Sequence, residues 1–296
     1  MMSNLVKHIS PILVMVLINM ICMPMAFGEL SAIKILKLGV RGDAPPFSYR
    51  ESNESEFIGY SVEICEQIGL RAQRQNKFDK FEFVTVTSES RFEDLRAKKV
   101  DILCGATTVT LDRIYKYSQT LYTFLSGASF MYQYPINQGD EQNKLKVGVL
   151  RNTTTKEYLL GTIWPKMRID LKNLGFNNVD DFELVSGENH WETEKLFNQH
   201  KIDLYIADRE ILIALSRNSK KGSYRVSQRY YSIEPYALFT RRDEVELLHI
   251  ANTTLRDLYS EKRQTGNIKE ILRRNFPGQI FSSTLLQLFR LQRLLD

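Results

Sequence analysis

Cys104-Gly105-Ala106-Thr107-Thr108-Val109-Thr110-Leu111-Asp112-Arg113 joins small residues, hydroxyls and one guanidinium at the end of an apolar run, Val100 to Cys104. Small residues at a strand end leave backbone N–H groups accessible to an anion. An arginine eight residues past the glycine then supplies a planar fork for a carboxylate. Arg41 follows a strand-like segment, Lys34 to Val40, and Asp208 follows another, Ile202 to Ala207. The chemistry these residues suggest is recognition of a small carboxylate. Each also has a structural alternative. Asp43 stands close enough to pair with Arg41, Asp208 has the type and place of an N-cap for a helix from Arg209, and His190 beside Trp191 suits a packed surface group. Phe47 fits core and cleft wall equally well.

These residues must be positioned by alternating strands and helices. Phe81 to Val86 and Val100 to Cys104 read as strands. Gly59 to Ala72 and Ser90 to Lys99 have helical periodicity. A break rich in Pro, Asn, Gln and Gly follows near Tyr132 to Lys144. A second series then begins, with strands Lys146 to Leu150, Phe182 to Val185 and Ile202 to Ala207 and helices Glu192 to Gln199 and Arg209 to Ser216. Arg151 to Thr155 looks like a capped helix start. Tyr224 to Tyr231 is placed to carry the chain back. Leu247 to Tyr259, Asn267 to Phe276 and Leu285 to Leu295 read as closing helices, the last a packing helix. The alternation predicts right-handed βαβ units and an α/β fold of two mostly parallel sheets. The lobes are expected at 29–132 with 230–296, and at 133–229. Strand ends that face each other form a cleft.

The 296 residues carry a net charge of +5 with no basic block, which argues against nucleic acid. Lys7 and His8 precede an apolar run, Pro11 to Met25, with Ala26 and Gly28 at −3 and −1 of a cut. That is a secretory signal layout over residues 1–28, whose removal lowers the net charge to +4. The alternative is a membrane anchor, for which the run is short of the usual span of about 20 residues. Export leaves Cys65 and Cys104, either a disulfide or two buried thiols. Two distant cysteines and four scattered histidines give no metal-ligand spacing. No cofactor is expected.

Gly39-Val40-Arg41, Pro46-Phe47-Ser48-Tyr49, Gly59-Tyr60-Ser61, Thr87-Ser88-Glu89-Ser90-Arg91 and Cys104 to Arg113 resemble the family 3 periplasmic solute-binding proteins of amino-acid ABC importers. Within that family the chain is most similar to the glutamate/aspartate-binding branch, whose Cys-Gly-Ser-Thr-Thr run ends in Arg at the same spacing. The second lobe adds Thr153-Thr154, His190 and Tyr205-Ile206-Ala207-Asp208. The resemblance implies that Arg113 and Thr108, with the Thr153–Thr154 helix start, hold the ligand α-carboxylate. Asp208 and the carbonyl of Ala106 take the α-ammonium. Arg41, Ser88, Arg91 and His190 surround the side-chain carboxylate. Ala106 stands where the branch often has serine. It further implies a periplasmic protein, expected as a monomer, that closes on its ligand and hands it to permease subunits in the inner membrane.

Three arginines and Asp208 sum to +2, which favours an acidic amino acid. Glutamine would strand one buried guanidinium, at about 3–5 kcal/mol or roughly a thousandfold in affinity. A dehydratase-like branch shares the fold, and Glu188 with His190 is the acid–base candidate for it. No Ser/His/Asp order or phosphate loop supports an enzyme. The remaining alternative is a ligand-sensing protein working through a separate partner.

Overall fold

The strand expected from Lys34 forms β1 (Ile35–Val40). In the computed structural model, which describes residues 32–136, 144–218, 224–260 and 266–294, it lies second in a five-stranded sheet. Leu36, Leu38 and Val40, which share one face of the strand, are all buried, while Ile35 and Lys37 on the other face are partly covered. A small hairpin, β2 (Asp43–Ala44) and β3 (Ser48–Tyr49), leads to α1 (Tyr60–Arg74), followed by β4 (Lys80–Thr85), α2 (Arg91–Arg96), β5 (Ile102–Leu103), α3 (Leu111–Lys116) and β6 (Ser118–Ser126).

The second series is β7 (Ala128–Gln133), β8 (Leu145–Leu150), α4 (Thr154–Tyr158), a π-helical turn (Leu159–Ile163), α5 (Trp164–Leu174), β9 (Phe182–Gly187), α6 (His190–Asn198), β10 (Leu204–Asp208), α7 (Arg209–Asn218) and β11 (Tyr224–Val226). The chain then returns through β12 (Glu234–Thr240) to α8 (Val245–Tyr259), α9 (Ile268–Asn275) and α10 (Ser283–Gln292).

The sheets have orders β4-β1-β5-β12-β6 and β11-β7-β10-β8-β9. Both follow one plan. Three parallel strands (β4, β1, β5 and β9, β8, β10) meet an antiparallel fourth, β12 or β7, which pairs with an outer strand. Each antiparallel strand belongs to a crossing between lobes. The outward crossing is at Gly127, between β6 of the first sheet and β7 of the second, not at residue 132 as the composition break suggested. The return lies between β11 and β12. The crossings run side by side: Tyr231 N–H donates to the Ala128 carbonyl (2.8 Å) and Ala128 N–H to Ser232 Oγ (2.8 Å). A Cβ at Gly127 would lie 2.2 Å from the Ser232 carbonyl oxygen, so this contact requires glycine.

Phe47 is core. It packs edge-on to Tyr60, Phe124, Tyr236 and Phe276, with centroids 5.0–6.2 Å apart. Truncating such a ring costs about 3–5 kcal/mol. Cys65 on α1 and Cys104 after β5 form a disulfide, with Cα atoms 6.1 Å apart. Closing that 39-residue separation contributes about 4 kcal/mol in the chain-entropy account and anchors the start of the Gly105 loop. The second lobe buries Phe130, Val147, Trp164, Met167 and Ile206 between its sheet and α5. α10 is a packing helix: Phe289 stacks on Tyr259 at 4.7 Å, and Gln292 bonds the backbone of Tyr122. Among the described residues no helix is long and apolar enough to cross a membrane. The proposed signal, residues 1–28, lies outside them.

Candidate functional site

The first lobe brings three guanidinium groups to the strand ends. Arg41 follows β1, and Asp43 grips it through Nε–Oδ1 (2.8 Å) and Nη2–Oδ2 (2.6 Å). Arg91 opens α2 and is 4% exposed. It donates from Nη2 to the Asn152 carbonyl (3.3 Å), while its Nε and Nη1 have no hydrogen-bond partner among the described residues. Arg113 on α3 donates to the Thr108 carbonyl (2.6 Å). Arg91 and Arg113 both lie over the Phe92 ring, 5.4 and 5.1 Å from its centroid. The loop between β5 and α3 is pinned to the returning strand. Val109 N–H donates to the Pro235 carbonyl (2.8 Å), and Ala237 N–H to that of Thr107 (3.2 Å).

The second lobe answers with acceptors and a neutral ring. Thr153 caps α4, receiving Lys156 N–H while donating to the Leu150 carbonyl (2.8 Å). Its hydroxyl is therefore already committed. Asn189 caps α6, whose first residue is His190. The helix thus begins two residues earlier than the periodicity suggested and draws His190 into a buried first turn. His190 N–H donates to Asp43 Oδ2 (2.9 Å), and Nδ1 shares a 2.5 Å hydrogen bond with the Tyr205 hydroxyl. Asp208 ends β10, and its buried Oδ1 has no partner among the described residues.

Arg41, Arg91, Ala106, Thr108, Arg113, Thr153, Thr154, His190 and Asp208 line one cavity of about 20 Å³, together with Leu150, Thr155, Ile206 and Ala207. Ser88 lies one step outside, lining a cavity of about 650 Å³ with Arg91, Phe92, Arg113, Asn152 and Thr153. The inner space is about that of one water, so the lobes stand closed. Hydrogen bonds tie them across the cleft: Asp43 to His190, Arg91 to Asn152, Ser88 to the Glu188 carbonyl (3.5 Å), and Trp191 Nε1 to the Gly42 carbonyl (3.0 Å).

The cleft is electrostatically loaded. Burial pushes the Arg91 guanidinium well below its usual range, and the charges of Arg113 and Arg41 push it the same way. Burial alone would raise the Asp43 carboxyl, but Arg41 and then His190 hold it below the ordinary range. Burial drives His190 down to about 3, helped by Arg41 and opposed by Asp43. Burial lifts Asp208 well above the carboxylate range and Glu234 lifts it further, while the nearby Tyr236 hydroxyl works against both.

Two sequence-based expectations change. The ion pair that was Arg41's alternative is present, so Arg41 is already neutralised. Asp43 and the buried Glu234 add carboxylates that the count of +2 left out. Glu188 and His190 are no acid–base pair, since Glu188 sits 3.6 Å from Arg151 at the surface and the His190 ring faces Tyr205. Sequence reasoning missed Glu234 altogether. Its only local signal is an acid before Pro235, and its contacts with Thr108 and Thr154 span 126 and 80 residues. Among the described residues no three His, Cys, Asp or Glu side chains converge as a metal site.

The sequence model of the bacterial extracellular solute-binding proteins, family 3, matches residues 36–278. An L-glutamate/L-aspartate-binding protein of Pseudomonas aeruginosa is 24% identical over 251 residues, covering 82% of this chain and 78% of its own. The glutamine-binding protein GlnH of Bacillus subtilis is 22% identical over 225 residues, 76% of each chain. Among solved structures, a mutant of ArgBP from T. maritima superposes with a TM-score of 0.63 at 19% identity, covering 82% of this chain and 95% of its own. The ancestral amino acid-binding protein AncCDT-1, a precursor of cyclohexadienyl dehydratase, gives 0.62 at 17% identity, with 82% and 95% covered.

Proposed function

The chain belongs to family 3 of the bacterial extracellular solute-binding proteins, and from that premise we propose that it binds L-glutamate or L-aspartate between its lobes and delivers it to the permease of an ABC importer. The observation that carries this reading is Arg91. It is a buried guanidinium with two N–H groups unpartnered among the described residues, beside a second arginine that shares the Phe92 ring. An uncompensated buried cation is unstable until a carboxylate meets it. Two guanidinium groups on one ring suit a ligand with two carboxylates, the α-carboxylate at Arg113 and the side-chain carboxylate at Arg91. Asp208, buried and unpaired at Oδ1, suits the α-ammonium.

We read the protein as a binding protein and not an enzyme, exported to the periplasm by removal of residues 1–28. The name of the Pseudomonas aeruginosa relative supports the acidic ligand. That of the Bacillus subtilis relative makes glutamine the competitor to test. Calorimetry with L-glutamate, L-aspartate, L-glutamine and L-arginine decides it. The acidic pair should bind at least a hundredfold more tightly than glutamine, and equal affinity for glutamine or arginine would remove the reading.

A further inference from the structure

The return crossing carries a carboxylate into the cleft. Glu234, 3% exposed, opens β12. Its Oε2 accepts from Thr108 Oγ1 (2.7 Å) of the first lobe and from Thr154 Oγ1 (2.6 Å) of the second. Its Oε1 accepts from Ser232 Oγ (2.8 Å), which itself receives the Ala128 N–H. The carboxylate is thus held from both crossings, and its strand pins the loop bearing Thr108 through Pro235 and Ala237.

A threonine hydroxyl has one proton and two lone pairs. Thr108 and Thr154 each commit that proton to Glu234, so what they turn to the cavity is acceptor density. The two oxygens lie 3.2 Å apart, and Asp208 lines the same cavity with Oδ1 unpaired. Hydroxyls oriented in this way disfavour a ligand carboxylate and suit a group with three N–H donors. Resting on the amino-acid ligand proposed above, we infer that Glu234 is a positioning and specificity-determining residue: it fixes Thr108 and Thr154 as acceptors, makes their corner with Asp208 an ammonium site, and leaves the ligand carboxylates to Arg113 and Arg91. Thr108, which the resemblance places at the α-carboxylate, is in this proposal assigned through its hydroxyl to the ammonium.

The test compares L-glutamate with glutarate, which has both carboxylates and no ammonium, by calorimetry on the wild type, Glu234→Gln and Thr154→Val. The wild type should prefer glutamate by at least a hundredfold. In Glu234→Gln that preference should shrink more than tenfold, because Ser232 Oγ, which receives the Ala128 N–H and donates to position 234, draws the amide oxygen, so the amide NH2 faces Thr108 and Thr154 and frees their hydroxyl protons toward the cavity. Thr154→Val should lose glutamate affinity far more than glutarate affinity, and it keeps the test available if Glu234→Gln does not fold. A purely structural role for Glu234 would weaken both ligands alike, and an unchanged ratio in the variants overturns the inference. A wild type that binds neither compound removes the acidic amino-acid reading, and this inference with it.

Discussion

The two lobes share a strand plan but present opposite electrostatic faces to the cleft. The first supplies Arg41, Arg91 and Arg113; the second supplies Asp208, the neutral His190 and the Thr154 hydroxyl, with Glu234 entering on the return crossing. Equivalent strand ends therefore carry different groups: guanidiniums predominate on one side, a carboxylate and a hydroxyl on the other, with Thr108 an acceptor from the first lobe. A zwitterion with an extra carboxylate matches that division when its carboxylates face the first lobe. Asp43 is the exception. It belongs to the first lobe, neutralises Arg41 there, and reaches across to His190 N–H. It bonds to both lobes and does not line the inner cavity.

Breaking the cationic side should have the largest effect. Arg113→Ala should weaken every amino acid by roughly a thousandfold, the scale of one stranded charge partner at about 3–5 kcal/mol. Calorimetric binding that survives would show that the α-carboxylate sits elsewhere. Arg91→Ala should weaken L-glutamate by about a hundredfold, the value of a charge-assisted pair, and glutamine by only a few-fold. Equal losses would erase the distinction between the two arginines.

The bridge between the lobes should show itself in stability. Asp43→Asn strands the buried Arg41 guanidinium, and Tm should fall on the order of 10 °C. A change of a degree or two would mean that the bridge is dispensable. Acid should act on the same cluster. The unfolded chain protonates a histidine near 6.5, whereas the folded protein holds His190 down at about 3. Its contribution is complete above pH 6.5 and is lost as pH falls toward 3. Asp43, held low, contributes above the ordinary carboxylate value and is lost below it. Melting curves from pH 7.5 to 4 should show Tm falling from about pH 6.5, and His190→Gln should remove the upper part of that fall.

The smallest effect tests the anionic side. Asp208 is raised in the free protein, and a ligand ammonium beside it lowers it again, so binding should release protons and strengthen as pH rises through the acid range. Calorimetry in two buffers of different ionisation enthalpy measures this. Identical apparent enthalpies would show that Asp208 is already ionised or distant from the ligand.

Much of this organisation was legible in the residues. β1, α1, β4, β8 and β10 followed from short apolar runs and helical periodicity. Nine of the ten proposed site residues meet on one cavity because their strands end at the same edge. β6, β7 and β12 escaped. Ser118 to Gln133 runs through two sheets with only Gly127 between them, and local pattern does not record which sheet a strand joins. His190 was expected in a loop because its helix start depends on the Asn189 cap and on burial against Tyr205.

The sequence by itself determined the α/β class, the family resemblance and the residue types gathered at the strand ends, since these rest on local periodicity and on a contiguous motif from Cys104 to Arg113. Only the tertiary structure decided between the two states left open for Cys65 and Cys104, neutralised Arg41 with Asp43, and set Glu234 against Thr108 and Thr154. The reason is physical. The charge and proton direction of a buried group depend on partners that sequence separation hides, and burial makes those partners decisive.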